Sequence, residues 1–596
     1  MSLKFVPRSW PILRPGSEFT ARAGQAITDT AVADRPKKKP LGCNGSAVSK
    51  NCPDGNGCPP GVGGGGLGGD GPTLTLPLPP PFGLPDLAEE TGMPIPAEQL
   101  CQVVFKGMKD SEDPQTSDPR YARLIQNAYP VDGDIGARVI GRPGLSQIGV
   151  QLGSSGKRRV QGIYQLTQLD GTETTIVICG GQFYTYNWGT GSFTEDAPSA
   201  ATISETATCY FNTIADKATI SDGVNKPWTY DGTDDVVLTN SSVLFGQPTI
   251  YYAKYFGIKN TERSTLVWSE ENDPTTGYEA GGFNNAWTLG QTDQDPLFAI
   301  VGTNESLYYW RARSIGGIRG AVDVDFINSG TREGVSTTVG TVSPDGVQVA
   351  GDFIFFQDED NRTHTLGISG GRVNEDIWRD LRETIPDWDE TKNDKNRAVY
   401  DPNTDLVLLG TVADSSTECD RYIAVNARTN EISGLWQGWT STALATVRDG
   451  SGKPTVLHGS ANGYVYNHGT PTGSVWNDRL NAADGGTAAI AHKVTGAPLG
   501  SHIFLAKSFP RWDMSLWLET DAALTLTYRT PRGTPTAQTK TVAPSGYPRE
   551  YHVAVGTDGD GRWIEPTLAH SNGSERFGLE RWCVRAVTYG QEPEIP

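Results

Sequence analysis

Long apolar runs are missing from these 596 residues. No stretch approaches the ~18–20 consecutive apolar residues of a spanning helix, so no membrane span is expected. The opening Met1-Ser-Leu-Lys-Phe-Val-Pro-Arg-Ser-Trp10 lacks the apolar core of a secretory signal, and export by that route is not expected either. Histidine is scarce: 7 residues are spread from His364 to His570, with no H-x3-H ligand pair, and no G-x-S-x-G elbow is present. Eight cysteines are too few and too scattered for a disulfide scaffold. Cys179, Cys209, Cys419 and Cys583 sit in or beside strand-like runs and read as small buried thiols. Cys43, Cys52 and Cys58 cluster without a nearby histidine and match no usual zinc spacing, so a disulfide or free thiols are expected there. Basic charge is also short, with 50 Lys and Arg against 69 Asp and Glu, a net charge of −19. Such a surface repels nucleic acid, which argues against a sequence-reading DNA binder.

What the chain has in quantity is turn chemistry, 71 glycines and 39 prolines. Glycine supplies positive φ and proline fixes φ at corners, a composition suited to short strands joined by many turns. A polar turn followed by an aromatic strand recurs at Gly181-Gln-Phe-Tyr-Thr-Tyr186, Asn225-Lys-Pro-Trp-Thr-Tyr230, Asn304-Glu-Ser-Leu-Tyr-Tyr309, Asn361-Arg-Thr-His-Thr-Leu366 and Asn462-Gly-Tyr-Val-Tyr466. The steps of 44, 79, 57 and 100 positions fit single and double repeats of one four-stranded propeller blade with insertions. The expected fold class is therefore all-β, a β-propeller of six or seven blades.

Three regions differ in grammar. Residues 1–118 carry Pro36-Lys-Lys-Lys-Pro40, Gly61-Val-Gly-Gly-Gly-Gly-Leu-Gly-Gly69 and Leu76-Pro-Leu-Pro-Pro-Pro81. That composition cannot offset its own chain entropy, so the expectation is an extended arm ordered only against a neighbouring subunit, with Trp10, Leu13, Phe82 and Leu84 as anchors. Residues 119–484 form the expected propeller. Val160 to Leu169 ends at Asp170-Gly171, and Thr174 to Cys179 leads through Gly180-Gly181 into Gln182 to Asn187, a meander. A helix is expected over Glu375 to Thr384, capped by Asn374, with Ile377, Trp378 and Leu381 at helical spacing. Residues 485–596 read as longer alternating strands, a β-sandwich-like appendage whose last strand is able to close the ring.

Candidate chemistry is sparse. Ser221-Asp-Gly-Val-Asn-Lys-Pro-Trp228 resembles the Asp-box hairpin of sialidases, a structural turn that reports fold and not activity. A glycosidase needs a carboxylate pair about 5–9.5 Å apart, and sequence does not select one, Asp358 with Asp387 being no better than others. His458 and His468 flank one hairpin and read as loop or strand-edge imidazoles. Arg35 with Lys37, Lys38 and Lys39 is the only dense basic cluster, either a solvated patch or a contact for DNA or an acidic neighbour. No catalytic residue, cofactor or metal is assigned, and the chain is not expected to be an enzyme.

Several fragments, in order, resemble the tail nozzle or hub proteins of short-tailed bacteriophages, the family that includes packaged-DNA stabilisation proteins. They are Asn127-Ala-Tyr-Pro130, Gly141-Arg-Pro-Gly-Leu145, Leu266-Val-Trp-Ser269, Asn272-Asp-Pro-Thr275 with Trp287, Gly302-Thr-Asn-Glu-Ser-Leu-Tyr-Tyr-Trp310 and Tyr400-Asp-Pro402. Residues 1–118 depart from that pattern. The resemblance implies a virion component of the phage tail, usually a sixfold homo-oligomeric ring below the portal and adaptor, in contact with tail fibres or spikes. It would retain packaged double-stranded DNA and guide its ejection, an acidic channel letting the duplex slide. The alternative is a receptor-binding or glycan-cleaving propeller of a tail fibre or a sialidase-like enzyme. That alternative predicts a polar pocket on the propeller axis with a carboxylate pair or an arginine cluster; the nozzle reading predicts none.

Overall fold

The computed structural model describes residues 98–591, apart from 111–117, 280–284, 290–295, 321–329, 382–387, 470–476, 501–504, 519–521, 534–537, 555–559, 571–576 and a few single or paired positions. The expected arm anchors, the Arg35–Lys39 cluster and Cys43, Cys52 and Cys58 all lie outside the described residues.

Seven antiparallel sheets follow one another along the chain. Their innermost strands begin at Val160, Tyr210, Leu244, Leu297, Val347, Arg397 and Ala443. Blade 1 is the expected meander, Val160–Thr167, Glu173–Cys179, Gln182–Asn187 and Ser192–Glu195. Each blade buries both faces. Ile176 and Ile178 face Phe211, Ile220 and Trp228 of blade 2, while Val177 and Cys179 face Ala443, Leu457 and Val465 of blade 7. The same alternation gives one apolar cluster between every consecutive pair of blades, seven in all. A strand with period-two side chains and two dry faces reads as an unbroken apolar run, as in the fully buried Leu406–Thr411.

The ring is closed by Leu145–Ile148, which pairs antiparallel with Val465–His468 as the fourth strand of blade 7. The expectation that the C-terminal strand could close it is corrected. The segment just ahead of blade 1 is the one within reach, so closure joins the two ends of the repeat, and Val160 of blade 1 packs beside Ala443 of blade 7.

The C-terminal residues form a two-sheet sandwich, but not alone. Leu505–Leu518 and Phe577–Gln591 pair along most of their length, and Glu98–Gln102 and Gly136–Gly141 both add to Phe577–Gln591. The second sheet continues from blade 6, where Ile432–Ser441 pairs with Leu124–Gln126 and the order runs on through His492–Thr495, Glu565–His570 and Ala522–Arg529. Residues 121–141, expected within the propeller, thus belong to the sandwich. Their alternating apolar residues Ile125, Ala128 and Val139 share a core with Trp512, Met514 and Trp582. Cys101 and Cys583 form a disulfide, which corrects the reading of Cys583 as a thiol; Cys179, Cys209 and Cys419 are free and buried.

Arg142 joins the two modules. Its guanidinium is fully buried and donates to both carboxylate oxygens of Asp478, at 2.9 and 2.5 Å, to Asn127 Oδ1 at 3.2 Å and to the carbonyls of Pro143 and Gln437. It also lies 4.4 Å from the centre of the Trp439 ring. Asn127 takes a positive φ of 53° and donates to the Ala491 carbonyl. A buried bidentate pair with every donor placed is the geometry in which the Coulomb attraction offsets the desolvation of both ions.

The helix expected over Glu375–Thr384 is represented by a short 3-10 turn, Ile377–Leu381, with Ile377 and Leu381 buried. Both residues join the apolar cluster that Phe355 and Val407 also enter. Among the described residues no helix is long and apolar enough to cross a membrane.

Candidate functional site

The inner strands leave a cavity of about 660 Å³ on the propeller axis, at the end where those strands begin. Tyr210, Phe245, Gly246, Phe298 and Arg397 line it from the starts of four of them, and Arg159 lines it from the residue before Val160. Turns between second and third strands contribute Asp222, Arg263 and Glu418. Convergence follows from the architecture, since radial sheets bring the first residue of every blade to the same rim.

Four basic and three acidic side chains line this cavity. Arg159 is paired with Glu418 at 3.2 Å. Arg397 is 4% exposed and bonded to Asp345, and its Nε has no hydrogen-bond partner among the described residues. Arg263 places its guanidinium carbon over Phe245, 3.6 Å from the ring centre, and no carboxylate partner stands beside it among the described residues. Burial lowers its pKa, with the neighbouring Tyr210 acting the other way. The Lys395 ammonium donates to the Thr417 carbonyl at 2.7 Å, and Asp394 is exposed.

One acid of the cavity, Asp222, serves the scaffold. Asp222 accepts from the Val224 and Asn225 amides, from Asn225 Nδ2 and from the Ser204 amide, all within 2.7–2.9 Å. This is the turn expected of Ser221–Trp228, and Trp228 packs inward. Asp358 likewise ties a hairpin, accepting from the Asp360 and Arg362 amides and meeting His364 Nε2 at 2.9 Å. Asp387 lies outside the described residues.

His458 and His468 are core residues, not loop or strand-edge imidazoles, with ring centres 4.2 Å apart between Trp439 and Trp436. Burial depresses both, His458 to about 3, with Arg142 adding to the effect. Blades 6 and 7 close over this hairpin, which a linear pattern does not reveal.

The axial pocket runs against one expectation, because a nozzle was expected to have none. Sequence reasoning missed Arg159, Arg263 and Arg397. The signal, an arginine at or just before the start of a strand, becomes visible only once blade register is known.

No protein-family model matches the chain, and no curated protein does either. Among solved structures it is similar to PorZ, a surface component of the type-IX secretion system of Porphyromonas gingivalis, at 7% identity and TM-score 0.34, over 59% of this chain and 42% of that one. It is also similar to the Pan2 WD40 domain of Neurospora crassa, at 7% identity and TM-score 0.36, over 56% of this chain and 98% of the other. Sqt1 of Saccharomyces cerevisiae aligns at 10% identity and TM-score 0.35, over 55% and 100% of the two chains. The chain spans less than half of PorZ, and at these scores the likeness adds nothing to what the seven sheets establish: this is an all-β chain built on a propeller.

Proposed function

We propose that this chain is a structural component of a short-tailed phage tail, a nozzle or hub subunit. It assembles as a ring around the DNA channel below portal and adaptor, and guides genome ejection. The observation that carries this reading is the joint at Arg142. Asn127-Ala-Tyr-Pro130 and Gly141-Arg-Pro-Gly-Leu145, which resemble that family, meet there and bind propeller to sandwich through one buried cation. Residues spent on holding two modules as one body suit a part that bears load. The net charge of −19 suits a wall past which a polyanion slides.

In a ring of this kind the duplex passes between subunits, so the cavity inside each propeller is not the channel. Native mass spectrometry and electron microscopy of the full chain test the reading. A closed sixfold ring with an open centre is expected; a stable monomer that turns over glycans refutes it. The arginine-lined cavity favours a second reading, in which the propeller itself binds a receptor.

A further inference from the structure

We infer that the axial cavity binds a small hydroxylated carboxylate of the acidic-sugar class, with Arg263 receiving the carboxylate. The inference deepens the receptor-binding reading and is independent of ring assembly.

Size comes first. A cavity of about 660 Å³ falls within the roughly 300–1,000 Å³ of small-molecule sites. Its chemistry then narrows the ligand. Arg159 and Arg397 are held by Glu418 and Asp345, which leaves Arg263 as the cavity arginine without a carboxylate partner among the described residues. The guanidinium carbon sits 3.6 Å from the centre of the Phe245 ring, so the fork of donors is held in place before a ligand arrives, and a planar carboxylate is the group that fork matches bidentately. With Asp345 counted beside the lining residues, four basic groups meet four acidic ones, so the cavity carries no net charge before a ligand binds. That balance favours a monoanion over a phosphate dianion, which the nearby carboxylates would repel. The exposed Asp394 and the Lys395 ammonium at the rim are partners for hydroxyl groups, and Phe245, Phe298 and Tyr210 offer apolar surface to the C–H face of a pyranose. The second unused donor is Arg397 Nε, buried and unbonded among the described residues.

Calorimetric titration of the full chain with glucuronate and N-acetylneuraminate, against glucose and inorganic phosphate, tests this. Saturable binding of an acidic sugar is expected, weakened about tenfold or more in Arg263→Gln, as expected from loss of a charge-assisted fork. In the unmodified chain the same sugar should protect Arg263 from phenylglyoxal, mapped by peptide mass, a readout that needs no variant to fold. Binding of glucose as tight as that of the acids overturns the inference while leaving receptor binding in place. Preferential phosphate binding, unchanged affinity in a folded Arg263→Gln chain, absence of protection, or no binding by any of the four also overturns it.

Discussion

His570 is buried with neither ring nitrogen hydrogen-bonded among the described residues, stacked 5.6 Å from Phe577 and 5.8 Å from His492. Burial holds its pKa down to about 4, and burial holds that of His492 down to about 3. An unfolded histidine titrates near 6.5. Below that pH the unfolded chain takes up protons that the folded chain refuses, so the stability due to these neutral rings is complete above about 6.5. It is lost as pH falls toward 3–4, by up to about 1.4 kcal/mol per pH unit for each ring. The urea midpoint should therefore drop between about pH 7 and pH 5. His570→Phe keeps the stack, removes one titrating group, and should give a shallower dependence without loss of stability at neutral pH. An equally steep slope in that variant would falsify the assignment.

At the scale of elements, the seam between blades 7 and 1 decides whether the ring stays shut. Gly459 ends the second strand of blade 7, and a Cβ there would stand 2.3 Å from Val160 Cγ1. Gly459→Ala should cost about 1–3 kcal/mol by overpacking, whereas Gly334→Ala, with nothing within 4 Å of its Cβ position, should be nearly neutral. Thermal unfolding of the two variants makes the comparison; equal melting temperatures would show that the seam yields. Strands were the legible part of this scale. Thr265 to Ser269, Leu297 to Gly302, Phe353 to Gln357 and Thr455 to Gly459 all appear in the structure within a residue of their expected bounds. Their place within a blade was less legible. Tyr186, Tyr230, Leu366 and Tyr466 lie in third strands, but Tyr309 lies in a second strand. The aromatic motif therefore skipped blades 3 and 6 and gave uneven steps. A hairpin turn looks the same between strands one and two as between two and three.

For the whole molecule, the disulfide between Cys101 and Cys583 ties together strands 482 positions apart. Cys101→Ser should destabilise the sandwich by about 2–4 kcal/mol through the entropy returned to the unfolded chain. A shifted denaturation midpoint under non-reducing conditions checks this, and coincident midpoints would contradict it. Cys179 and Cys419, buried and pushed up to about 12 by desolvation, should resist alkylation until the blades open.

Sequence by itself determined the element type, the repeat and the turn chemistry. Each rests on local terms: period-two apolar patterning, positive-φ residues at corners, and Asp222 and Asp358 bonding the amides that follow them. Tertiary structure alone decided the rest, namely seven blades, closure by Leu145–Ile148, a sandwich built from both sides of the ring and a cavity that gathers Arg159, Arg263 and Arg397. Those features depend on which distant strands meet. Arg142 and Asp478 are 336 positions apart, and only a closed ring brings them within hydrogen-bond distance. No local pattern encodes that meeting, because the attraction that offsets the cost of burying each ion exists only when both partners are brought together.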